Sequence, residues 1–254
     1  MNWKFIDSGI NTGSYNMAFD MLLARILKSG QAILRLYGWN PYCISLGANQ
    51  PEDSLNIEKV INDKLDFVKR PTGGRAILHA EELTYSVIYP SNKNFSLNDL
   101  YKQVNLALKK GLVLFDEKLK EVSLEYTEPH FPSFYKEEKS AVCFAVSSRN
   151  EINYKGRKLV GSAQRNLGNT ILQHGSILCG DYHKRIVDYL ALNKNYLDEI
   201  RKEINNTTTD LIEIVNYKVE IEKLKSAIKT GFEEHFGISF YHSEKEFDLA
   251  LSQV

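Results

Sequence analysis

This sequence has little cysteine, little proline and no net charge. Its 254 residues include three cysteines, Cys43, Cys143 and Cys179, and six prolines. Three thiols so far apart fit neither a disulfide framework nor the paired spacing of a metal site, so no metal is expected. Each thiol is then either a small packed hydrophobe or a reactive group. With no Pro-rich linker, internal repeat or block of one charge sign, one domain over 1–254 is expected, its C-terminal portion helical from about 182. The 32 basic residues cancel the 32 acidic ones. No net field would therefore hold the protein to nucleic acid or to an anionic membrane surface. No apolar run reaches the length of a membrane span, and the opening MNWKFIDSGINTGSYNMAFD has polar groups where a secretory leader has its apolar core. A soluble, cytoplasmic protein is the expectation.

What is present suits an ordinary globule: 43% hydrophobic and 25% charged residues can bury a core without staples. Between Asn16 and Ser29, the residues Met17, Met21, Leu22, Ile26 and Leu27 recur at helical spacing, and Gly30 supplies a stop. Ala32 to Trp39, AILRLYGW, reads as a strand. After a helix over Leu55 to Lys64, two strand patterns, Phe67 to Lys69 and Glu82 to Tyr89, flank a glycine-bearing connection. Ser96 and Asp99 form a capping pair for a helix marked by Leu97, Leu100, Val104, Leu108, Leu112 and Phe115. Glu121 to Lys139 has no clear period and reads as a loop. Beyond it, YKGRKLVGSAQRNLGNTILQHGSIL reads as two strands joined at Asn166 to Asn169. From Tyr182 the pattern is mostly helical, including Val219 to Phe236, with a short strand at Gly237 to Tyr241 and a last helix from Glu244. Strands and helices do not strictly alternate, which favours an α/β fold with a mixed or antiparallel sheet over a doubly wound one.

Three places could carry chemistry. The segment Arg70-Pro71-Thr72-Gly73-Gly74-Arg75 matches neither the phosphate loop nor the dinucleotide fingerprint. Its glycines would let backbone approach a ligand and its arginines could meet a carboxylate, phosphate or polarised carbonyl, although a tight turn with solvated arginines explains the segment equally well. Cys143, in SAVCFAVSS, precedes Lys158, in GRKLVGSAQ, by fifteen positions. An ammonium beside a thiol favours the thiolate and can donate a proton later, so the two could form a nucleophile and acid/base dyad. Taken alone, a packed cysteine and a solvated lysine are the commoner outcomes. Cys43 and Cys179 lie in apolar strand patterns and read as packed hydrophobes. His79 and His174 read as structural histidines filling a sheet, with His174 and Gly175 also able to present a donor near a reacting carbonyl.

Together, KRPTGGRAILHAEELTYSV, SAVCF, GRKLVGSAQR and ILQHGSIL occur in the order and spacing of the lipoate and octanoate protein-transferase family, and the similarity runs from WKFIDSG and LYGWNP to about Phe240. Within that superfamily the chain most resembles the cysteine-dependent octanoyl-[acyl carrier protein]:protein octanoyltransferases. The resemblance implies the biotin/lipoate protein ligase catalytic-domain fold, a mixed, largely antiparallel sheet flanked by helices. It implies that Cys143 accepts the acyl group and that Lys158 contacts the acyl carbonyl. Arg70, Gly73, Gly74, Arg75 and His79 then match the segment lining the acyl pocket, and Gly161, Ser162, Ala163, Gln164, His174 and Gly175 the strands closing it. Ala80 stands where an aspartate commonly follows the histidine, which would leave His79 without that partner. The implied reaction needs no cofactor. It takes octanoyl from octanoyl-acyl carrier protein and delivers it to the lysine of a lipoyl carrier domain or glycine cleavage H protein, in lipoate biosynthesis. An ATP-dependent lipoate-protein ligase and amidotransfer of octanoyl or lipoyl between carrier domains are the alternatives.

Overall fold

The computed structural model describes residues 1–91, 96–124 and 151–240. Ten strands occur among them: β1 (Asn2–Asn11), β2 (Gln31–Trp39), β3 (Cys43–Leu46), β4 (Asp66–Lys69), β5 (Ile77–His79), β6 (Glu82–Pro90), β7 (Val122–Leu124), β8 (Ile152–Tyr154), β9 (Arg157–Asn166) and β10 (Thr170–Leu178). The helices are α1 (Gly13–Ile26), α2 (Ile57–Asn62), α3 (Leu97–Phe115), α4 (Lys194–Thr207), α5 (Leu211–Val215) and α6 (Ile221–Phe236). Seven strands form one sheet in the order β1-β2-β6-β10-β9-β8-β7, antiparallel except for the β1–β2 pair. A second sheet, β4-β3-β5, joins parallel β3–β4 and antiparallel β3–β5. The mixed, largely antiparallel architecture expected from the sequence is the one observed.

Alternation along the central strands gives the large sheet two unlike faces. Leu34 and Leu36 of β2, Leu83, Tyr85 and Val87 of β6, and Ile171 and Ile177 of β10 join one core with Leu100, Val104 and Leu108 of α3 and with Leu224, Ile228 and Phe232 of α6. Each such side chain contributes about 1.5–3 kcal/mol by leaving water. The opposite face carries Arg35, Tyr37, Thr84, Ser86, His174 and Ser176, all buried. Farther along that face, Ile33, Ile88 and Leu172 pack on Phe19, Leu22 and Leu23 of α1. The small sheet has its own core, in which Ile44, Leu46 and Leu78 meet Val60 of α2, Ile186 and Val187 of a 3-10 segment at Tyr182–Tyr189, and Ile200 and Ile204 of α4.

Local chemistry explains where several elements begin. The Thr12 side chain accepts from the Tyr15 N–H, so α1 starts three residues before its apolar repeat declares itself. Gly13 is required there, because a Cβ would sit 2.6 Å from Cys43 Sγ and 2.8 Å from Val68 Cγ1. The Ser96–Asp99 capping box opens α3 as expected. The glycine-bearing connection holds a third strand, β5, which the sequence reading passed over because it is only three residues long. The expected loop from Glu121 includes the short strand β7, whereas 125–139 lies outside the described residues, as do Cys143 and the helix expected from Glu244. Residues 237–240 form no strand, which corrects that expectation: Gly237 takes a left-handed conformation and caps α6 instead. Among the described residues no helix is long and apolar enough to cross a membrane.

The α3–α6 crossing depends on two facing glycines. A Cβ on Gly231 would meet the Gly111 N–H nitrogen, lie 2.5 Å from Gly111 Cα and lie 2.8 Å from the Ala107 carbonyl. Glycine to alanine in an ordinary helix interior stabilises by about 0.8–1 kcal/mol. Gly231→Ala should do the reverse and lower stability by about 1–3 kcal/mol through overpacking, read as a lower urea midpoint. A raised midpoint would show that the helices are not held this close.

Candidate active site

A cavity opens between the polar face of the large sheet and the small sheet, with an empty volume of about 460 Å³ including its mouth. Of the residues singled out in the sequence, Arg70, His79, Lys158, Gly161, Ser162, Ala163, His174 and Gly175 line it. Gly73, Gly74 and Arg75 do not: they are exposed. Gln164 is half-buried beside the lining and donates to Gln173 Oε1 at 3.2 Å. Met17, Tyr37, Trp39, Ser45, Ile77, Thr84, Glu151 and Ser176 complete the walls among the described residues.

Two hydrogen-bonded clusters shape it. Asp20, fully buried on α1, accepts from Arg35 Nη1 at 2.7 Å, Ser86 Oγ at 2.8 Å and Tyr37 Oη at 3.3 Å, and its Oδ2 lies 3.7 Å from His174 Nδ1. Burial alone would push the Asp20 carboxyl up, but the Arg35 guanidinium and then His174 more than offset it, and the group is held below its ordinary range. His174 passes the restraint on, since its Nε2 is 2.6 Å from the hydroxyl of Thr72. The glycine-rich segment is thus pinned to β10 through the threonine, and Arg165 Nη1 adds a 2.6 Å bond to the Pro71 carbonyl.

The second cluster contains His79 and Arg70. Arg70 donates to the carbonyls of Ser45, Gly73 and Arg75 at 2.8 Å each and to Ser45 Oγ at 3.1 Å. Its guanidinium therefore braces the loop from inside, not as a solvated arm. His79 Nε2 is 2.7 Å from Ser45 Oγ and its Nδ1 is 2.9 Å from Glu82 Oε1. Glu82 supplies the carboxylate that Ala80 cannot, so the expectation that His79 lacks such a partner is corrected. Thr84 and Ser176 also donate to Glu82 Oε1, Trp39 Nε1 donates to Thr84 Oγ1 at 2.6 Å, and the Trp39 ring stacks on His79 at 4.1 Å. Both histidines are engaged at both ring nitrogens, as structural histidines would be.

Lys158 stands apart chemically. Its Nζ lies 2.8 Å from Glu151 Oε2, with the two side chains 1% and 2% exposed. Lys155 and Gly156, with φ of 50° and 78°, make the two-residue turn between β8 and β9. Asn153 pairs with Lys158 while Ile152 pairs with Val160, so Leu159 is an extra residue in β9. That irregularity shifts the phase of the strand and lets Lys158 and Gly161, three apart, share the cavity wall. At Gly175 a Cβ would strike the Gly161 carbonyl and come within 2.8 Å of Ser162 Oγ and Tyr85 Cε1, so only glycine keeps β9 and β10 at this spacing. Burial pushes the thiols of Cys43 and Cys179 up, marking both as poor nucleophiles. The described residues contain no group of three or more His, Cys, Asp or Glu that could hold a metal ion.

Sequence reasoning passed over Asp20, Thr72, Glu82 and Glu151. Each is an unremarkable polar residue until the fold buries it against a distant partner.

Comparison with known proteins identifies the fold and the family. The bipartite lipoate protein ligase of Thermoplasma acidophilum, described with its E2 lipoyl domain, superposes with a TM-score of 0.76 at 19% identity, covering 99% of this chain and 91% of that one. A lipoate-protein ligase A bound with ATP gives 0.74 at 19% identity, covering 99% and 94%. These establish the fold. Proteins named octanoyltransferase LipM are 33% identical in Halalkalibacterium halodurans over 248 residues, 93% of this chain and 87% of that protein, and 33% identical in Bacillus subtilis over 259 residues, 97% and 92%. Residues 12–233 match the Lipoyl protein ligase A/B catalytic domain, and the chain belongs to that family.

Burial also lowers the proton affinity of His174, with the Arg70 charge adding to the effect and Asp20 opposing it. Outside the cavity, burial pushes His183 down to about 4, against the pull of the Gly180 carbonyl. An unfolded chain takes up these protons near the ordinary histidine value of about 6.5, while the native state refuses them until lower pH. Stability is therefore intact above about 6.5 and falls as pH drops toward 4, by roughly 3 kcal/mol for His183. His183→Gln should flatten the fall of the urea midpoint across that window. An unchanged slope would remove His183 from the account.

Proposed function

We propose that the protein transfers an octanoyl group from octanoyl-acyl carrier protein to the lysine of a lipoyl carrier domain or glycine cleavage H protein, in lipoate biosynthesis, through a thioester on Cys143. The observation that carries this reading is the Lys158 ammonium buried in the wall of a cavity with apolar flanks such as Met17, Trp39 and Ile77. The 33% identity to proteins named octanoyltransferase supports the acyl group.

The Cys143 thiolate attacks the donor thioester carbonyl, and N–H groups of Lys158 face the oxygen as it gains charge. The carbon–sulfur bond to the carrier breaks, and the carrier thiolate leaves and takes up from water the equivalent of the proton that the Cys143 thiol gave up on ionising. The acceptor lysine ammonium releases one proton to water and attacks the Cys143 thioester as a free amine. The carbon–sulfur bond to Cys143 breaks, the Cys143 thiolate departs, and the second nitrogen proton passes to water as the amide forms. One thioester is exchanged for another of nearly equal energy, and the amide is more stable than either, so neither step needs ATP. Each methylene in the cavity adds about 0.8 kcal/mol, so adjacent chain lengths should differ by only about fourfold in binding.

Mass spectrometry after mixing with octanoyl-carrier should find the octanoyl mass on the Cys143 peptide, and Cys143→Ala should abolish transfer to an apo lipoyl domain. Full-rate transfer by Cys143→Ala would exclude the thioester route. A requirement for ATP and free octanoate would place the activity with the ligases instead.

A further inference from the structure

We propose that Glu151 is a positioning residue for the transfer reaction, holding the Lys158 ammonium against the cavity wall so that its N–H groups meet the carbonyl oxygen of a bound acyl group. This rests on the role given to Lys158 above.

The pair is expensive for a fold to keep. Each buried charge costs several kcal/mol of hydration, and a buried ion pair commonly stabilises no more than apolar residues of the same shape. Apolar residues do fit in the same wall: Met17, Trp39 and Ile77 line the cavity with the pair. Stability alone therefore does not account for Glu151 and Lys158. Their common place in the cavity lining does.

Two backbone devices bring the carboxylate to the ammonium. The Lys155–Gly156 turn fixes the β8–β9 register, and the extra residue at Leu159 rotates Lys158 toward the cavity, where its Nζ comes within 2.8 Å of Oε2 of Glu151, immediately before β8. A lysine head rides on a flexible four-carbon stem, and its charge alone does not aim it. The contact with Glu151 Oε2 at 2.8 Å fixes where the head of that stem sits. The pair is also neutral as a unit, which suits an uncharged acyl chain better than a lone buried cation would.

The test uses the full chain with octanoyl-carrier and an apo lipoyl domain, measuring kcat and KM separately. Glu151→Gln should lower kcat by about 100-fold while donor KM stays within about threefold, because a misaimed group costs rate more than binding. Glu151→Asp should recover much of that loss, and formate added to Glu151→Ala should restore part of it where chloride does not. A kcat for Glu151→Gln within about twofold of the wild type overturns the proposal. So does a loss that neither Asp nor formate repairs. Should the single variants fail to fold, the double variant Glu151→Leu, Lys158→Met should melt near the wild-type temperature and be inactive, and an active double variant overturns it. Cys143→Ala separates the two readings. If it retains full rate, the thioester route fails; if it is dead while Glu151→Gln is fully active, only the role of Glu151 fails.

Discussion

The join between α1 and the polar face of the large sheet leans on one buried carboxylate. Asp20 sits beneath the large sheet with Arg35, Ser86, Tyr37 and His174 around it, and so ties α1 to β2, β6 and β10 at once. A sheet face made of arginine, serine, threonine and histidine cannot stay dry unless each group finds a partner. Asp20 provides acceptors for part of that face, and the Arg35 guanidinium, stacked 3.9 Å from the Tyr37 ring, donates to Ser8, Asn16 and Asp20. Once such a network is complete it is stiff, because every alternative arrangement leaves a buried group unpaired. The cavity inherits that stiffness through His174 and Thr72.

The two faces of the sheet divide the work accordingly. The face under α3 and α6 is apolar, closely packed and supplies most of the burial. The other meets the small sheet through Glu82, which binds His79, which in turn reaches Ser45 and, through it, Arg70, and these residues border the cavity. Glycines set the limits of that space: Gly175 brings β9 and β10 together, and Gly47 lets the chain pass against the Gly74 carbonyl. The arginine expected to reach a ligand from the loop, Arg70, is spent mainly on the loop itself.

How far the sequence revealed this depended on the range of the interaction. Period and capping are local, so the helix after Ser96, the strand Ala32 to Trp39 and the hairpin at Asn166 to Asn169 could be read directly, within a residue or two of what is observed. Short strands such as β3 and β5 carry too few residues to show a period, and the Lys155–Gly156 turn lacks the Asn-Gly signature that marks such turns. For the site, motif resemblance located Lys158, His79, His174 and the β9–β10 glycines, which do share one cavity. It did not reveal Asp20, Thr72, Glu82 or Glu151, whose significance comes from burial beside a partner, and no spacing rule encodes that.

The bond between Thr72 and His174 joins positions 102 apart in the chain. During synthesis the amino-terminal half must therefore leave the ribosome with Asp20, Arg35 and the glycine-rich segment already made and their common partner strand not yet translated. Contacts of such separation form late, because a long loop must close before they return any energy. The cavity thus cannot close before β10 has been made, and a nascent chain arrested short of that strand would expose a row of charged and hydroxylated side chains that the finished protein buries.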